Sequence, residues 1–223
     1  MIWNDHSILK GRHSILSPSQ SSWLRYSDAD EYASLMRRCI SEYSATAGTI
    51  IHDYAQQRIK NKLPMSENEQ NAVMLELLRN GIPAYAIDIY QFYQTLVEYV
   101  NDTIDYEMDT EVTLYYSDNA FGTTDAIRYH RRHLRIHDLK TGLKPAGFDQ
   151  LIVYAAYFFL EYGKKMKIKP ENVDTELRVY QSSEISICHP DVEDIYAAID
   201  KIIELDPIID IFKSGGLRND RAL

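Results

Sequence analysis

An α/β fold is predicted by three observations. The first hundred residues carry apolar positions at helical spacing. The pattern then switches to the two-residue alternation of strands between about 103 and 140. A nearly unbroken apolar run, 148–162, follows and leads into further strand-like segments. The reading gives one domain across 1–223, with a mainly helical region at 1–102 and an α/β core at 103–223.

Along the chain, residues 1–15 read as an irregular arm, and Ser17-Pro18-Ser19 as a helix start. Helices are expected from Asp28 to about Tyr43 and from Ala47 to Lys62, the second with Ile51, Tyr54, Ala55 and Ile59 on one face. Pro64-Met65-Ser66 breaks it. Ser66-x-x-Glu69 reads as a capping box opening a helix to Arg79, closed by Asn80-Gly81. Pro83 opens another, to about Val100. Thr103–Tyr116, Ala120–Tyr129 and Leu134–Lys140 are read as strands joined by turns at 117–119 and Arg131-Arg132. Phe148–Tyr162 is an apolar helix with Gly163 as its C-cap. Thr175–Gln181 and Glu184–Cys188 are strands, and a helix runs from Pro190-Asp191 to about Leu205.

Side chains two apart on a strand share a face. The segment 134–140 therefore sets Asp138 and Lys140 at the end of the stripe begun by Leu134 and Ile136. A hairpin would bring Asp125 beside Asp138. Two carboxylates with an ammonium neighbour suit a hard divalent cation, because Mg²⁺ takes one or two carboxylates and completes its shell with phosphate oxygens and water. Such a site suits hydrolysis of a phosphodiester.

Gly122-Thr123-Thr124-Asp125, then Asp138-Leu139-Lys140-Thr141-Gly142, then Gln150-x-x-x-Tyr154 resemble the RecB-type branch of the PD-(D/E)XK nuclease superfamily. Upstream, Leu16-Ser17-Pro18-Ser19 with Trp23-Leu24 is similar to that branch's opening helix, and Gly48-Thr49-Ile50-Ile51-His52 to its Gly-x-x-x-His helix. D-x-K alone is common by chance; four pieces in order over residues 14–160 are specific. The whole looks most like a small phage-type recombination exonuclease.

The resemblance implies a PD-(D/E)XK core, a central mixed sheet flanked by helices. It also implies a metal-dependent DNA exonuclease of recombination or repair, using Mg²⁺ or Mn²⁺. Asp125 and Asp138 become metal ligands, His52 a further ligand, and Lys140 the group beside the scissile phosphate. Gln150 and Tyr154, one face of a helix, support the site. Glu111 stands where relatives carry an acid, with Asp109 and Glu107 equally available. A structure-specific or packaging endonuclease is the alternative within the superfamily. An inactive DNA-binding or assembly subunit is the alternative outside catalysis. A strand-annealing or recombination partner protein and self-association are compatible with the same reading.

Composition adds bounds. Two cysteines, Cys39 and Cys188, cannot supply the four thiolates of an iron–sulfur cluster. Where relatives that carry one have Cys-Pro, this chain has Tyr26-Ser27, so no cluster is expected. Two cysteines also fit a reducing compartment, the cytoplasm, or the host's if phage-encoded. No stretch approaches the ~20 apolar residues of a membrane span. Net charge is −9, against the usual basic footprint of a DNA binder. Yet Arg128, Arg131, Arg132, Arg135, Lys140 and Lys144 fall in one window with His130, His133 and His137, and Asp138 is its only acid. A second basic run spans 164–169. The window is expected to hold the DNA backbone through Arg128, Arg131, Arg132, Arg135 and Lys144. No phosphate loop, G-x-S-x-G elbow or H-E-x-x-H motif is present.

Overall fold

The structure is a computed structural model that describes residues 25, 27–66, 68–84, 88–142 and 145–214. The 16–24 motif, Tyr26 and Lys144 lie outside the described residues.

Helix α1 runs unbroken over Ala29–Lys60, where two helices were expected. Ser44-Ala45-Thr46 holds no glycine or proline, and nothing there interrupts the ladder. Asp28 caps it: its side chain accepts from Glu31 N, and Glu31 reaches back to the cap backbone. Helix α2 covers Gln70–Arg79. Glu69 is its N-cap rather than its third residue, so the Ser66–Glu69 hydrogen bonds close the preceding loop instead of forming a capping box. Pro83 does not open a long helix. A 3₁₀ turn at Ile89–Gln91 precedes α3, Tyr93–Asp105, which runs five residues past Val100. The first strand therefore starts later than its sequence pattern indicates.

Five strands follow: β1 (Asp109–Ser117), β2 (Ala120–His130), β3 (His133–Lys140), β4 (Asp174–Gln181) and β5 (Glu184–Cys188). They form one mixed sheet in the order β1-β2-β3-β4-β5, with β3 and β4 parallel and the other pairs antiparallel. Helix α4 (Asp149–Met166) makes the β3-to-β4 crossover that a parallel pair requires. It runs past Gly163, and Lys167, in a left-handed conformation, caps it. A Cβ at buried Gly163 would meet the Ile168 carbonyl at 3.2 Å, so the glycine serves close packing. Helix α5 (Val192–Lys213) continues eight residues beyond Leu205, through Pro207.

The sheet has helices on both faces. Ala126, Leu139 and Tyr180 pack with Ile51, Leu96 and Val100 of the α1–α3 layer. Leu134, Ile136, Leu177 and Val179 pack with Leu151, Phe158 and Ile195 of α4 and α5. At the open margin of β1, Tyr115 N–H donates to Glu161 of α4 at 2.7 Å. Among the described residues no helix is long and apolar enough to cross a membrane.

Candidate active site

Alternation along β3 gives the α4 side of the sheet Leu134, Ile136, Asp138 and Lys140, and gives the α1–α3 side His137 and Leu139. Asp138 is 2 % exposed. Lys140 Nζ lies 3.0 Å from Asp138 Oδ1 and 2.9 Å from Oδ2, and only the Oδ1 contact has hydrogen-bond geometry. Oδ2 is thus a buried anionic oxygen with charge nearby but no aligned donor. Burial, then Asp125, push the Asp138 carboxyl up to about 6, with Lys140 opposing.

Lys140 is positioned by a chain of contacts. Its ammonium donates to Gln150 Oε1 at 2.9 Å, Gln150 Nε2 donates to Tyr154 OH at 3.2 Å, and Tyr154 donates to the Thr123 carbonyl at 2.7 Å. Gln150 and Tyr154 therefore connect the start of α4 to both β3 and β2. Gly122 permits this: a Cβ there would come within 2.9 Å of Tyr154 Cε1. Sequence reasoning quoted Gly122 within a motif but missed this packing role.

Asp125 reaches the same point from β2. Its Oδ2 accepts from Leu139 N at 2.8 Å and lies 3.5 Å from His52 Nδ1 of α1. A Cβ on Gly48 would sit 3.0 Å from Thr141 Oγ1, so the glycine lets α1 approach the end of β3 and deliver His52 one turn later. Among the three acids available near β1, the structure distinguishes Glu111. It has φ 55°, between residues paired as Thr110–Ala126 and Val112–Thr124, and it lines an open cleft of about 830 Å³ with Gly48, His52, Thr141 and Gly142. Burial and Asp125 raise its carboxyl, and His52 opposes. Glu107 instead pairs with Arg128, and Asp109 lines other clefts.

Among the described residues no three His, Cys, Asp or Glu side chains form a ready-made cage for a metal ion. The donor set still suits one that keeps water and phosphate in its shell. Neighbouring donors around an octahedral cation with ~2.1 Å bonds lie about 3 Å apart, close to the 3.5 Å between His52 and Asp125. The hydrogen-bond vacancy on Asp138 Oδ2 points the same way.

The arginines do not converge on this site. Arg128 pairs with Glu107 at 3.1 Å; Arg135 pairs with Glu176 at 3.2 Å and stacks on Tyr106. His137 is fully buried, held neutral with its pKa lowered to about 3 by burial and by Arg178 and Arg135. Arg131 and Arg132 form the β2–β3 turn, both with positive φ and both exposed. Eight strand steps of ~3.3 Å put that turn about 25 Å from Lys140.

A family profile described as "Protein of unknown function (DUF2800)" matches residues 13–156, and the chain belongs to that family. The matched segment contains His52, Glu111, Asp125, Asp138, Lys140, Gln150 and Tyr154. No curated protein and no solved structure matches the chain.

Proposed function

We propose that this DUF2800 protein is a metal-dependent deoxyribonuclease, an exonuclease on a PD-(D/E)XK core of the RecB type. The observation that carries the reading is the meeting of His52, Asp125, Asp138 and Lys140 at one end of β3, with Lys140 held between Asp138 and Gln150. The motif order supports the superfamily and the choice of exonuclease; the geometry supports phosphodiester hydrolysis.

His52, Asp125 and Asp138, with Glu111 at the cleft, would hold Mg²⁺ or Mn²⁺. The imidazole suits Mn²⁺ at least as well as Mg²⁺. When bound, the cation supplies positive charge to the phosphate oxygens and makes a coordinated water acidic. Lys140 orients the attacking water and stabilises charge developing on the phosphate in line. Gln150 and Tyr154 keep the ammonium from swinging into solvent. The open cleft beside α1 gives a polymer backbone access. Of the basic window, Arg131 and Arg132 are free of ion-pair partners among the described residues, so they would touch DNA only well away from the scissile phosphate.

The deciding experiment compares end-labelled linear DNA with closed circular DNA, each with Mg²⁺ or Mn²⁺ and with chelator. Linear DNA should be consumed from its ends, the circle should survive, and chelation should stop the reaction. Opening of the circle at a matching rate would make the protein an endonuclease. Binding without cleavage of either would make it a DNA-binding or assembly subunit.

A further inference from the structure

Gln181 is the last residue of β4 and stands in register with Lys140, the last of β3. Strand alternation puts it on the α4 side of the sheet with Leu177 and Val179. Its amide spans the connection from β3 to α4. Nε2 donates to the Gly142 carbonyl at 2.6 Å, and Oε1 accepts from Ala146 N at 2.9 Å. The two partners fix which end of the amide is which, since a flipped group would set acceptor against acceptor and donor against donor. One side chain therefore holds the backbone on both sides of the connection. Glutamate has no donor for this task, and asparagine is one carbon shorter.

Both held ends serve the site. On one side, Thr141 and Gly142 line the cleft with His52 and Glu111, and Thr141 is the residue that Gly48 lets α1 approach. On the other, Ala146 lies two residues before Phe148, the N-cap of α4, whose side chain makes no cap hydrogen bond. A helix start without a side-chain cap depends on how the chain enters it. Gln150, the acceptor for the Lys140 ammonium, stands in that first turn. We infer that Gln181 is a positioning residue for Lys140. It sets the path of the backbone into α4, and with it the Gln150 carbonyl that takes the ammonium, while it holds the Thr141–Gly142 wall of the cleft. Its effect on cleavage rests on the nuclease reading; the fastening and its effect on Lys140 do not.

The test compares wild type with Gln181→Met, which removes both hydrogen bonds at similar length, and Gln181→Glu, which keeps only the acceptor for Ala146. Amide exchange followed by NMR should be ~5-fold or more faster at Ala146 in Gln181→Met, the loss of one hydrogen bond, and near wild type in Gln181→Glu. Acetic anhydride should acylate Lys140 several-fold faster in Gln181→Met, measured against the exposed Lys60, because an ammonium released by Gln150 gives up its proton more readily. In single-turnover cleavage the rate constant should fall ~10-fold while DNA affinity stays within ~2-fold, the split expected of a misplaced group. Gln181→Met combined with Gln150→Met should be little slower than the worse single variant, because both act through the same contact. Gln181→Glu should fall between wild type and Gln181→Met in acylation and cleavage, and decides alone if circular dichroism shows Gln181→Met unfolded. Wild-type behaviour of Ala146 and Lys140 in the variants, or additive losses with Gln150→Met, would overturn the inference. If the wild-type protein cleaves no DNA, the nuclease reading fails, and exchange and acylation still decide this one.

Discussion

Two charged clusters share β3: a back cluster between β3, β4 and α3, and a front cluster at the strand's C-terminal end, where α1 and α4 meet the sheet. Behind the sheet, Asp102 takes Arg178 at 2.9 Å and the Tyr180 hydroxyl at 2.6 Å, Glu176 takes both Arg178 and Arg135, and Arg178 stacks on Tyr106. Tyr180 OH lies 3.2 Å from His137 Nδ1. Each carboxylate there has a guanidinium of its own. In front, Asp125, Asp138 and Glu111 have one ammonium and one imidazole between them, and two of the three carboxyls are shifted upward. Acids and bases crowd together in both places. Only the front leaves negative charge short of partners, and only the front opens on a cleft. Removing one partner from a closed cluster strands a buried charge, whereas an open cluster with shifted carboxyls marks a candidate site.

The largest expected effect is at Asp138. Asp138→Asn should reduce cleavage by ~10³-fold or more, at the upper end of what one site group contributes. It should also stabilise the metal-free protein. The carboxyl is held at about 6 in the fold against 3.8 when unfolded, so its burial penalty is full above pH 6 and fades as pH falls toward 4. Melting at pH 8 in chelator should favour the variant by ~1–3 kcal/mol, with the gap closing over that window. A variant no more stable than wild type would mean the front is as well satisfied as the back.

Arg178→Met should do the reverse. Stranding Asp102 and leaving Glu176 to Arg135 alone should cost ~2–4 kcal/mol in urea denaturation, discounted because Asp102 is partly exposed, while cleavage per folded molecule stays within a few-fold. Loss of turnover with stability intact would erase the distinction between the clusters.

Lys140→Ala should lower turnover by ~10²-fold, with a much smaller change in DNA affinity. Equal losses in single-turnover and binding assays would make it an anchor rather than a group acting at the phosphate. Gly122→Ala, which crowds Tyr154, should slow cleavage several-fold, about 1 kcal/mol for one weakened hydrogen bond. Tyr154→Phe should give a similar loss, and the two together little more. The smallest effect should be at the distant turn. Arg131→Ala with Arg132→Ala should flatten the slope of log K against log salt by about one to two units and leave the metal requirement alone. An unchanged slope would make these residues part of the turn only.

Strand positions and the Asp138–Lys140 pair were readable because period-two alternation is local. Helical spacing put Gln150 and Tyr154 on one face, and the resemblance alone implied their role at the site. What escaped depends on partners far along the chain. Arg128 and Arg135 look like free cations until Glu107 and Glu176 arrive. His137 looks like part of a basic surface until Tyr180 and Tyr106 cover it. Choosing among Glu107, Asp109 and Glu111 required the cleft that Glu111 shares with His52 and the Arg128 pairing that takes up Glu107, both set by distant parts of the chain. Helices α1 and α5 are longer than their sequence patterns indicate: α1 runs through Ser44-Ala45-Thr46, and α5 runs through Pro207 to the contacts of Asp206, Asp210 and Lys213 with the β1–β2 turn.

Glu161 has a consequence for the sheet's open margin. An unpaired edge strand is a template on which another chain can add hydrogen bonds. The Tyr115 amide already points into the α4 carboxylate, where the Tyr115 ring stacks on Phe121 of β2. Strand addition there would first have to displace a charged acceptor.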